Sequence, residues 1–417
     1  MKILILFWAT LMSILLFSCD ENSNGNEDTL SSPIIISLSD AEIQMKDGGN
    51  HSAMNLFSII HELQDNDENI VFSPLSLNMA LAMVWNGAGG ETKQAIQKTM
   101  GMNDYSPKEV NEYFKKLRES FIKTDPTVQL AIANSIWYHQ DFSVKDDFIR
   151  TNKTWYNAET NKIDFDSPQA PTIINQWCSE HTNGRIKEMV KTISSNTVMY
   201  LLNALYFKGA WADEFGFNQS ATANAPFTKE DGSKVTVQMM KQNRTLDYYK
   251  DDYLALTSLP YGNQAYSMLF VLPNSGVSFD ALVTQLKQEG YWEQCLRSIS
   301  TYDVNLYIPR FKTEYEIKLN DALKESGMGI AFGKMADFSA ISDIPVFISE
   351  AKQKSFIEVN EEGTEAAAVT SIEMMVTSAG PPPEPEKVTF RADRPFLFAI
   401  QENSTGTILF MGKIGKP

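Results

Sequence analysis

Residues 361–385, EEGTEAAAVTSIEMMVTSAGPPPEP, combine the signatures of a strand and of a loop. Within residues 364–375 the even-numbered positions carry no charge, and both glutamates fall on odd-numbered positions. A strand sends alternate side chains to opposite faces, so this pattern is typical of a strand with one buried and one wet face. Gly363 precedes the run, and a Gly-Pro-Pro-Pro cluster at 380–383 follows it. Glycine and proline at both ends of a segment are typical of an exposed loop. The segment therefore predicts a stretch that is a loop in one state and a strand in another.

The composition of the whole chain indicates one large folded unit. The 417 residues are 43% hydrophobic, which is ample for an extensive core, and no long linker divides residues 50–417. The formal net charge is −16. Such a surface repels phosphate backbones and anionic membranes, so nucleic acid is not an expected partner.

The N-terminus predicts an export signal at residues 1–18. Lys2 precedes an apolar run that ends at residue 17, too short for a transmembrane helix. Leu-Phe-Ser-Cys at 16–19 resembles the bacterial lipobox, which implies cleavage before Cys19 and lipidation of that cysteine; an ordinary signal peptide that leaves Cys19 free is the alternative. We interpret residues 19–45 as the lipidated cysteine and a flexible tether, because Asp20–Thr29 is polar, acidic and without apolar periodicity.

This interpretation places the protein in a bacterial cell envelope, anchored by lipid at the outer membrane or the cell surface. Its only expected contact with a membrane is that lipid anchor. The folded domain is predicted to occupy residues 46–417.

No set of residues in the sequence predicts catalysis. The four histidines form no HExxH motif, and there is no GxSxG elbow, Walker A motif or EF-hand loop. Cys178 and Cys295 lie far apart without metal-ligand spacing, so we predict two ordinary buried thiols, with a disulfide as the less favoured alternative. We therefore expect neither enzymatic activity nor a metal or cofactor.

The hydrophobic periodicity predicts an α+β fold with large, mostly antiparallel sheets, since helical patterns dominate the first half and strand patterns the second. The predicted helices are Met54–Leu63, Leu75–Trp85, Thr92–Met100, Thr172–Ser179 and Ile317–Ser326. The predicted strands are Val128–Tyr138, Met199–Phe207, Tyr266–Leu272, Val304–Ile308, Lys354–Asn360, Pro395–Gln401 and Thr407–Met411.

Several segments, in order along the chain from about residue 50 to 415, resemble the signatures of the serpin family. They are Asn69–Ser76 (NIVFSPLS), Asn203–Trp211 (NALYFKGAW), Leu259-Pro260-Tyr261 followed by Met268–Pro273 (MLFVLP), Ile308–Phe311 (IPRF), Ala336–Ser339 (ADFS), Glu358–Ala368 (EVNEEGTEAAA), Arg394–Phe398 (RPFLF) and Phe410–Gly412 (FMG). The resemblance implies a serpin fold, with helices packed around the sheets, a central five-stranded sheet and an exposed reactive-centre loop at about 361–385.

The resemblance also implies a function, that of a suicide-substrate inhibitor of serine proteases. A target protease would cleave the loop, and the freed strand would enter the central sheet and trap the acyl-enzyme. Insertion of the loop into a sheet is a known property of the serpin family, and it is expected here from the resemblance alone. The entering hinge would comprise Gly363, Thr364, Glu365, Ala366, Ala367, Ala368, Val369 and Thr370. Their small size and the charge-free face favour an inhibitor over a non-inhibitory serpin that acts as a binding module, which remains the alternative.

The family spacing places the scissile bond at Thr377–Ser378, with Val376–Thr377 as the first alternative and Met375–Val376 as the second. Thr377 and Val376 are small and uncharged, and no Arg or Lys occurs from Glu361 to Glu386. We therefore expect elastase-like or subtilisin-like serine proteases as targets, with some cysteine proteases as further candidates, and a monomeric inhibitor.

Further family positions surround the predicted entry of the loop. Ser73, Ser76 and Asn203 match the shutter beneath the opening sheet, and Gln353 stands where the family usually has a histidine. An amide both donates and accepts, so we expect the shutter network to persist without the pH sensitivity of an imidazole. Trp211 would lie at the breach where the loop enters, and Glu361 is expected to pair with Arg310.

Overall fold

A computed structural model describes residues 32–64, 68–213, 215–364 and 385–417. The helices of these residues are α1 (Asp40–Leu63), α2 (Pro74–Trp85), α3 (Gly90–Thr99), α4 (Pro107–Thr124), α5 (Asp146–Tyr156), α6 (Ala170–His181), α7 (Phe279–Leu286), α8 (Tyr291–Arg297) and α9 (Asn320–Leu323). The strands are β1 (Ile70–Phe72), β2 (Gln129–His139), β3 (Glu159–Ile163), β4 (Met199–Ala210), β5 (Ala223–Thr228), β6 (Lys234–Lys250), β7 (Leu254–Tyr261), β8 (Tyr266–Pro273), β9 (Ser300–Pro309), β10 (Phe311–Lys318), β11 (Lys352–Asn360), β12 (Gly363–Thr364), β13 (Lys387–Arg391), β14 (Phe396–Glu402) and β15 (Thr407–Ile414).

The larger of the two sheets among the described residues has nine strands. Its order is β1-β15-β14-β8-β7-β6-β9-β13, and β5 pairs with β6 beside this path. Strands β8, β14 and β15 are buried along their whole length, which is why each contains an uninterrupted apolar run rather than alternation: residues 268–273, 396–400 and 408–411. This sheet therefore supplies much of the main core.

The second sheet contains the start of the segment that combines strand and loop signatures. Its order is β10-β11-β12-β4-β2-β3, so the two-residue strand β12 lies between β11 and β4. Apart from the parallel pairs β2–β3 and β9–β13, the pairings of both sheets are antiparallel. The predicted α+β class with large, mostly antiparallel sheets is confirmed.

Helix α6 covers part of one face of the second sheet. Trp177 and Cys178 of α6 pack against Trp137 of β2 and Ala204 of β4 in a small apolar cluster, separate from the main core. Asn175 fixes the chain that follows α6, because its side chain accepts from the N–H groups of Met189 and Val190 at 2.7 and 2.8 Å. The face of β4 that carries Ala204 thus looks towards α6, and the opposite face looks into the main core.

The folded part begins earlier than the predicted boundary at residue 46. Helix α1 starts at Asp40, and Ser39 forms a capping box with Glu42 that satisfies the first N–H groups of the helix. Ile36, ahead of the helix, is buried, and its N–H donates to the hydroxyl of Ser404 at 3.0 Å. Residues 36–45 are therefore part of the domain rather than of a flexible tether. The earlier tether residues up to 31 and Cys19 lie outside the described residues.

Two further features qualify the predicted elements. Residues 317 and 318, predicted as the start of a helix, instead end strand β10, since Ile317 and Lys318 pair with Gln353 and Lys352 of β11. The central sheet has six described strands rather than five, because β12 is already part of it.

Within the residues that the structure describes, no helix combines the length and apolarity needed to cross a membrane.

Candidate functional site

The predicted reactive-centre loop starts inside the sheet rather than on the surface. Gly363 pairs with Ala210 of β4 and with Asn360 of β11, and Thr364 pairs with Gly209 and Val359 on the same two strands. Within the described residues, β12 is the strand that joins β11 to β4 in the order of the sheet. The expectation of an exposed loop from residue 361 is therefore wrong for residues 361–364.

Only glycine fits at position 363. Its φ of +142° lies in a region that side chains with a Cβ rarely adopt. A Cβ built there would also lie 2.7 Å from the Cα of Ala210 and collide with the carbonyl oxygen of Gly209. The close approach of the two backbones at this point thus depends on a residue without a side chain.

Thr364 is held by an aromatic pair that the sequence did not reveal. Its hydroxyl lies 2.6 Å from the hydroxyl of Tyr261 on β7, and both residues are buried. The Tyr261 ring stacks on Trp211, with ring centres 4.6 Å apart, and the Trp211 indole N–H donates to the carbonyl of Asn360 at 3.0 Å. Trp211 therefore lies at the entry of β12, as expected for a breach residue.

The buried carboxylate of Glu361 forms an ion pair with the half-exposed Arg310 beside this entry. Arg310 donates from Nε at 2.9 and 2.8 Å and from Nη2 at 2.6 Å, and the Thr222 hydroxyl donates to the same carboxylate. The Glu361 side chain is 2% exposed, whereas that of Arg310 is 42% exposed. Burial raises the pKa of Glu361, but the hydrogen bonds from Arg310 and Thr222 outweigh it and hold the pKa below its ordinary value. The predicted contact between Glu361 and Arg310 is present.

The side-chain amide of Gln353 both accepts a hydrogen bond from the backbone of Ser73 and donates one to it. Its Oε1 accepts from the Ser73 N–H at 2.8 Å, and its Nε2 donates to the Ser73 carbonyl at 3.1 Å. The Ser73 hydroxyl donates to the carbonyl of Leu409 at 2.6 Å and accepts from the N–H of Ser76 at 3.1 Å, which caps α2. Gln353 thus ties β11 to the start of α2 through both functions of its amide, as expected.

Asn203 does not join that network. Its amide nitrogen donates to Asn134 of β2 at 2.7 Å and lies 4.0 Å from the sulfur of Met79. Its oxygen is buried and has no hydrogen-bond partner among the described residues. The predicted single network of Ser73, Ser76, Asn203 and Gln353 is therefore divided in two, because the part of β4 that carries Asn203 is not a hydrogen-bonded neighbour of β11.

The remaining predicted site residues fall outside the part of the chain that the structure describes. These are hinge residues 365–370, the bond residues Val376, Thr377 and Ser378, and the lipidation residue Cys19. The two other cysteines are described: Cys178 and Cys295 are free and buried, and burial raises the pKa of each thiol to about 12. The prediction of two buried thiols is confirmed.

Two contact residues, Tyr261 and Thr222, were not predicted from the sequence. Tyr261 lies within the quoted Leu-Pro-Tyr motif, but a tyrosine in a strand pattern carries no sign of the partner that its hydroxyl will meet. Thr222 lies at the end of a short helical turn, 139 residues from Glu361. Neither contact has a local sequence signal, since each joins two segments that are distant in the chain.

Comparison with known proteins agrees with this geometry. The family model described as "Serpin (serine protease inhibitor)" matches residues 47–417. An uncharacterized serpin-like protein of Thermococcus kodakarensis is 35% identical, over 87% of this chain and 84% of its own length. The human leukocyte elastase inhibitor is 34% identical, over 90% of this chain and 100% of its own length.

Solved structures of serpins share this fold. Tengpin, a thermophilic serpin solved in its native state, superposes with a TM-score of 0.80 at 32% identity, and the match covers 93% of this chain and 97% of that one. The residues matched by the family model, 47–417, include both sheets and the segment that contains β12. This chain is a member of the serpin family.

Proposed function

We propose that the protein is a suicide-substrate inhibitor of serine proteases, and not itself an enzyme. The observation that carries the proposal is the position of β12, whose two residues lie between β4 and β11 and pair with both. A segment held there is the start of an added strand. Cleavage further along the loop would free the remainder to continue along the same path.

The register of β12 defines that path. Strand β12 runs antiparallel to β4, with Thr364 opposite Gly209. A strand continued in this register would bring residue 366 beside Phe207, 368 beside Leu205 and 370 beside Asn203. On the other side, the steps from Val359 along β11 would bring residue 370 beside Gln353. An inserted Thr370 would therefore lie between the two shutter residues that are separate in the present structure.

The two faces of the continued strand suit their surroundings. Phe207 and Leu205 belong to the main core, and Thr364, which opens the strand, already faces the core residue Tyr261. Ala366 and Ala368 would follow on the same face, where their small side chains add little volume to a packed interior. Glu365 and Glu373 would lie on the opposite face, so neither carboxylate would be buried in the main core.

The inserted strand would carry an attached protease along the whole sheet. In this register the loop stays beside β4 from Gly363 to Met374, which would lie opposite Met199 at the far end of the strand. The 15 residues from Gly363 to Thr377 would span about 50 Å at roughly 3.3 Å per residue. A protease bound as an acyl-enzyme at Thr377 would thus be moved to the opposite end of the molecule.

The expected targets follow from the residues at the bond. Thr377, with Val376 before it, suits the small apolar pockets of elastase-like and subtilisin-like enzymes, and the loop offers no basic residue to a trypsin-like one. Some cysteine proteases remain candidate targets. We further propose that the inhibitor is monomeric and exported to a bacterial cell envelope. There Cys19 would carry a lipid anchor, at the outer membrane or the cell surface.

The test is the formation of a covalent complex. The purified protein is incubated with pancreatic elastase and with subtilisin, and the products are separated by SDS electrophoresis. We expect an SDS-stable complex, and mass spectrometry of the released C-terminal peptide should show cleavage at Thr377–Ser378. Cleavage at Val376–Thr377 would move the bond by one residue without changing the mechanism.

A matched pair of variants tests the insertion step. Ala366→Arg places a charge on the core-facing side of the continued strand and should yield a cleaved protein without complex. Glu365→Arg, one residue earlier, changes a position that is already charged on the other face and should retain the complex. Failure of the wild type to form a complex with any elastase-type or subtilisin-type protease would rule out inhibition and leave the non-inhibitory binding module.

A further inference from the structure

A histidine and two carboxylates converge at the end of the second sheet that is remote from Gly363. His139 is the last residue of β2, and Asp164 and Asp166 lie in the connection between β3 and α6. Strand β2 runs antiparallel to β4 and pairs Tyr138 with Met199, the first residue of β4, so this group lies at the opposite end of β4 from Ala210 and β12. Nothing in the proposed inhibitory mechanism uses these side chains.

The distances among the three side chains suit a shared ion better than direct hydrogen bonds. His139 Nε2 lies 3.9 Å from Asp164 Oδ1 and 3.7 Å from Asp166 Oδ2, and one ligand atom from each residue lies within 4.8 Å of the others. Hydrogen bonds between such groups are about 2.7–3.2 Å long, so these pairs are too far apart to satisfy each other. Ligands about 2.1 Å from a tetrahedral zinc ion are roughly 3.4 Å from one another, which a small side-chain movement would reach.

The group is held in place by packing. Phe165, between the two aspartates, is buried, and its ring meets the His139 ring edge-on, with ring centres 5.9 Å apart. Phe165 also packs edge-on against Tyr200 of β4. The imidazole and the backbone that carries both carboxylates are thus fixed relative to each other by one buried side chain.

The sequence predicted no metal site, but from this geometry we propose that His139, Asp164 and Asp166 form a binding site for a divalent transition metal of the Zn²⁺ type. One imidazole and two carboxylates provide three ligands and leave a fourth position for water. The imidazole favours such a metal over Mg²⁺ or Ca²⁺, which prefer oxygen ligands alone.

Asp141 can support the metal-bound imidazole. In the metal-free ring, Nδ1 accepts from the backbone N–H of Asp141 at 3.1 Å. With a metal on Nε2 the ring proton resides on Nδ1, and the Asp141 carboxylate, whose Oδ2 is 4.0 Å away, is the nearest carboxylate acceptor for it. A carboxylate behind the ligating histidine is a common arrangement at metal sites.

A second histidine group in the described residues is a poorer candidate. His61, Glu230 and Asp280 also converge, but the buried ammonium of Lys413 lies 2.5 Å from the Glu230 carboxylate. A cation already neutralises that carboxylate and would repel a metal ion. Within the described part of the chain, the ion pairs of His139, Asp164 and Asp166 include no such cation.

The test is direct binding of zinc to untagged protein that has been treated with a chelator and then freed of it. Isothermal titration calorimetry with ZnCl₂ should show one site per chain. His139→Gln and Asp166→Asn should each weaken that binding at least tenfold. Asp166 is suited to the test because its side chain is 79% exposed, so its replacement should leave the fold intact.

His181→Gln is the matched control, since His181 lies 3.3 Å from one carboxylate, that of Glu159, and belongs to no three-residue group among the described residues. This variant should bind zinc like the wild type. Absence of zinc binding by the wild type would overturn the proposal, as would binding that is unchanged in both Asp166→Asn and His139→Gln. Neither outcome bears on cleavage of the loop or on its insertion beside β4, because the proposed mechanism assigns no role to these side chains.

Discussion

The hydroxyl groups of Thr364 and Tyr261 lie 2.6 Å apart in the buried interior, between a residue of the predicted loop and a strand of the other sheet. This bond belongs to the state in which two hinge residues are already inserted. If the hinge leaves the sheet, both hydroxyls lose their partner, and the Tyr261 hydroxyl remains in an apolar environment. The bond therefore favours the partly inserted arrangement.

A double-mutant cycle on Thr364 and Tyr261 measures how much their hydrogen bond contributes to the free energy of unfolding. Tyr261→Phe and Thr364→Val each leave one buried hydroxyl unpaired and should lower the free energy of unfolding by about 1–2 kcal/mol. The double variant removes both groups and should be less destabilised than the sum of the single variants. Urea unfolding followed by tryptophan fluorescence provides the values, and strict additivity would show that the two hydroxyls do not interact.

Gly363→Ala should disturb the entry of β12 strongly. The new methyl group meets the backbone of Gly209 and Ala210, and the φ of +142° is strained for alanine. Gly276→Ala is the control, because that glycine also has a positive φ, +85°, but no atom within 4 Å of an added Cβ. Limited proteolysis should show faster cleavage in residues 361–385 for Gly363→Ala only. Equal cleavage of the two variants within residues 361–385 would contradict the clash of an added methyl group at the entry of β12.

The pair of Arg310 and Glu361 should make stability dependent on pH. The pKa of Glu361 lies below its ordinary value of 4.5, so its stabilising contribution is complete above about that pH and is lost as the pH falls through the lower, folded-state pKa. Glu361→Gln should remove this pH-dependent contribution to the stability. Urea midpoints of the two proteins, compared between about pH 6 and pH 3, should differ less as the pH falls. A constant difference across that range would contradict the assignment.

Removal of Arg310 should cost more than removal of the whole pair. Arg310→Leu leaves the carboxylate of Glu361 buried and should cost about 2 kcal/mol, less than the roughly 3–5 kcal/mol of fully buried pairs because the Arg310 side chain is 42% exposed. The double variant with Glu361→Gln should recover part of that loss. The measurement is urea unfolding at neutral pH, and a double variant as unstable as Arg310→Leu would argue against an unpaired charge as the cause.

Gln353→Glu should weaken the bond between β11 and α2 at neutral pH. A carboxylate can accept from the Ser73 N–H, but it cannot donate to the Ser73 carbonyl, so two oxygens would face each other in a buried site. Burial raises the pKa of such a carboxyl, and its protonated form can donate. Stability of the variant relative to wild type should therefore be regained as the pH falls. Gln353→Met, which cannot titrate, should show no such recovery.

Thr370→Val tests the register of the proposed insertion. In the continued register the Thr370 hydroxyl would lie beside Asn203, whose buried oxygen has no partner in the described residues. The variant should destabilise the cleaved protein by about 1 kcal/mol and leave the uncleaved protein unchanged. Ser371→Ala, on the opposite face, is the control. Thermal unfolding before and after loop cleavage separates the two states, and equal effects of Thr370→Val on both would contradict the register.

Local patterns predicted much of this fold. The apolar runs of the β8 and β14 regions identified strands, and helical periodicity identified most of α2 and α6. The serpin resemblance then supplied the pairing of Glu361 with Arg310. Errors arose where a pattern is ambiguous over a short stretch: Ile317 and Lys318 continue a helical period, yet pairing with β11 holds them in a strand.

The sequence by itself determined which face of the loop segment can be buried, because strand geometry alternates side chains whatever the surroundings. It also placed a glycine and several small residues at the hinge. Only the tertiary structure decided that the hinge is already engaged, that Tyr261 holds Thr364, and that Asn203 is separate from Gln353. These depend on the register and order of strands that lie far apart in the chain, and backbone pairing across such distances leaves no local sequence signal.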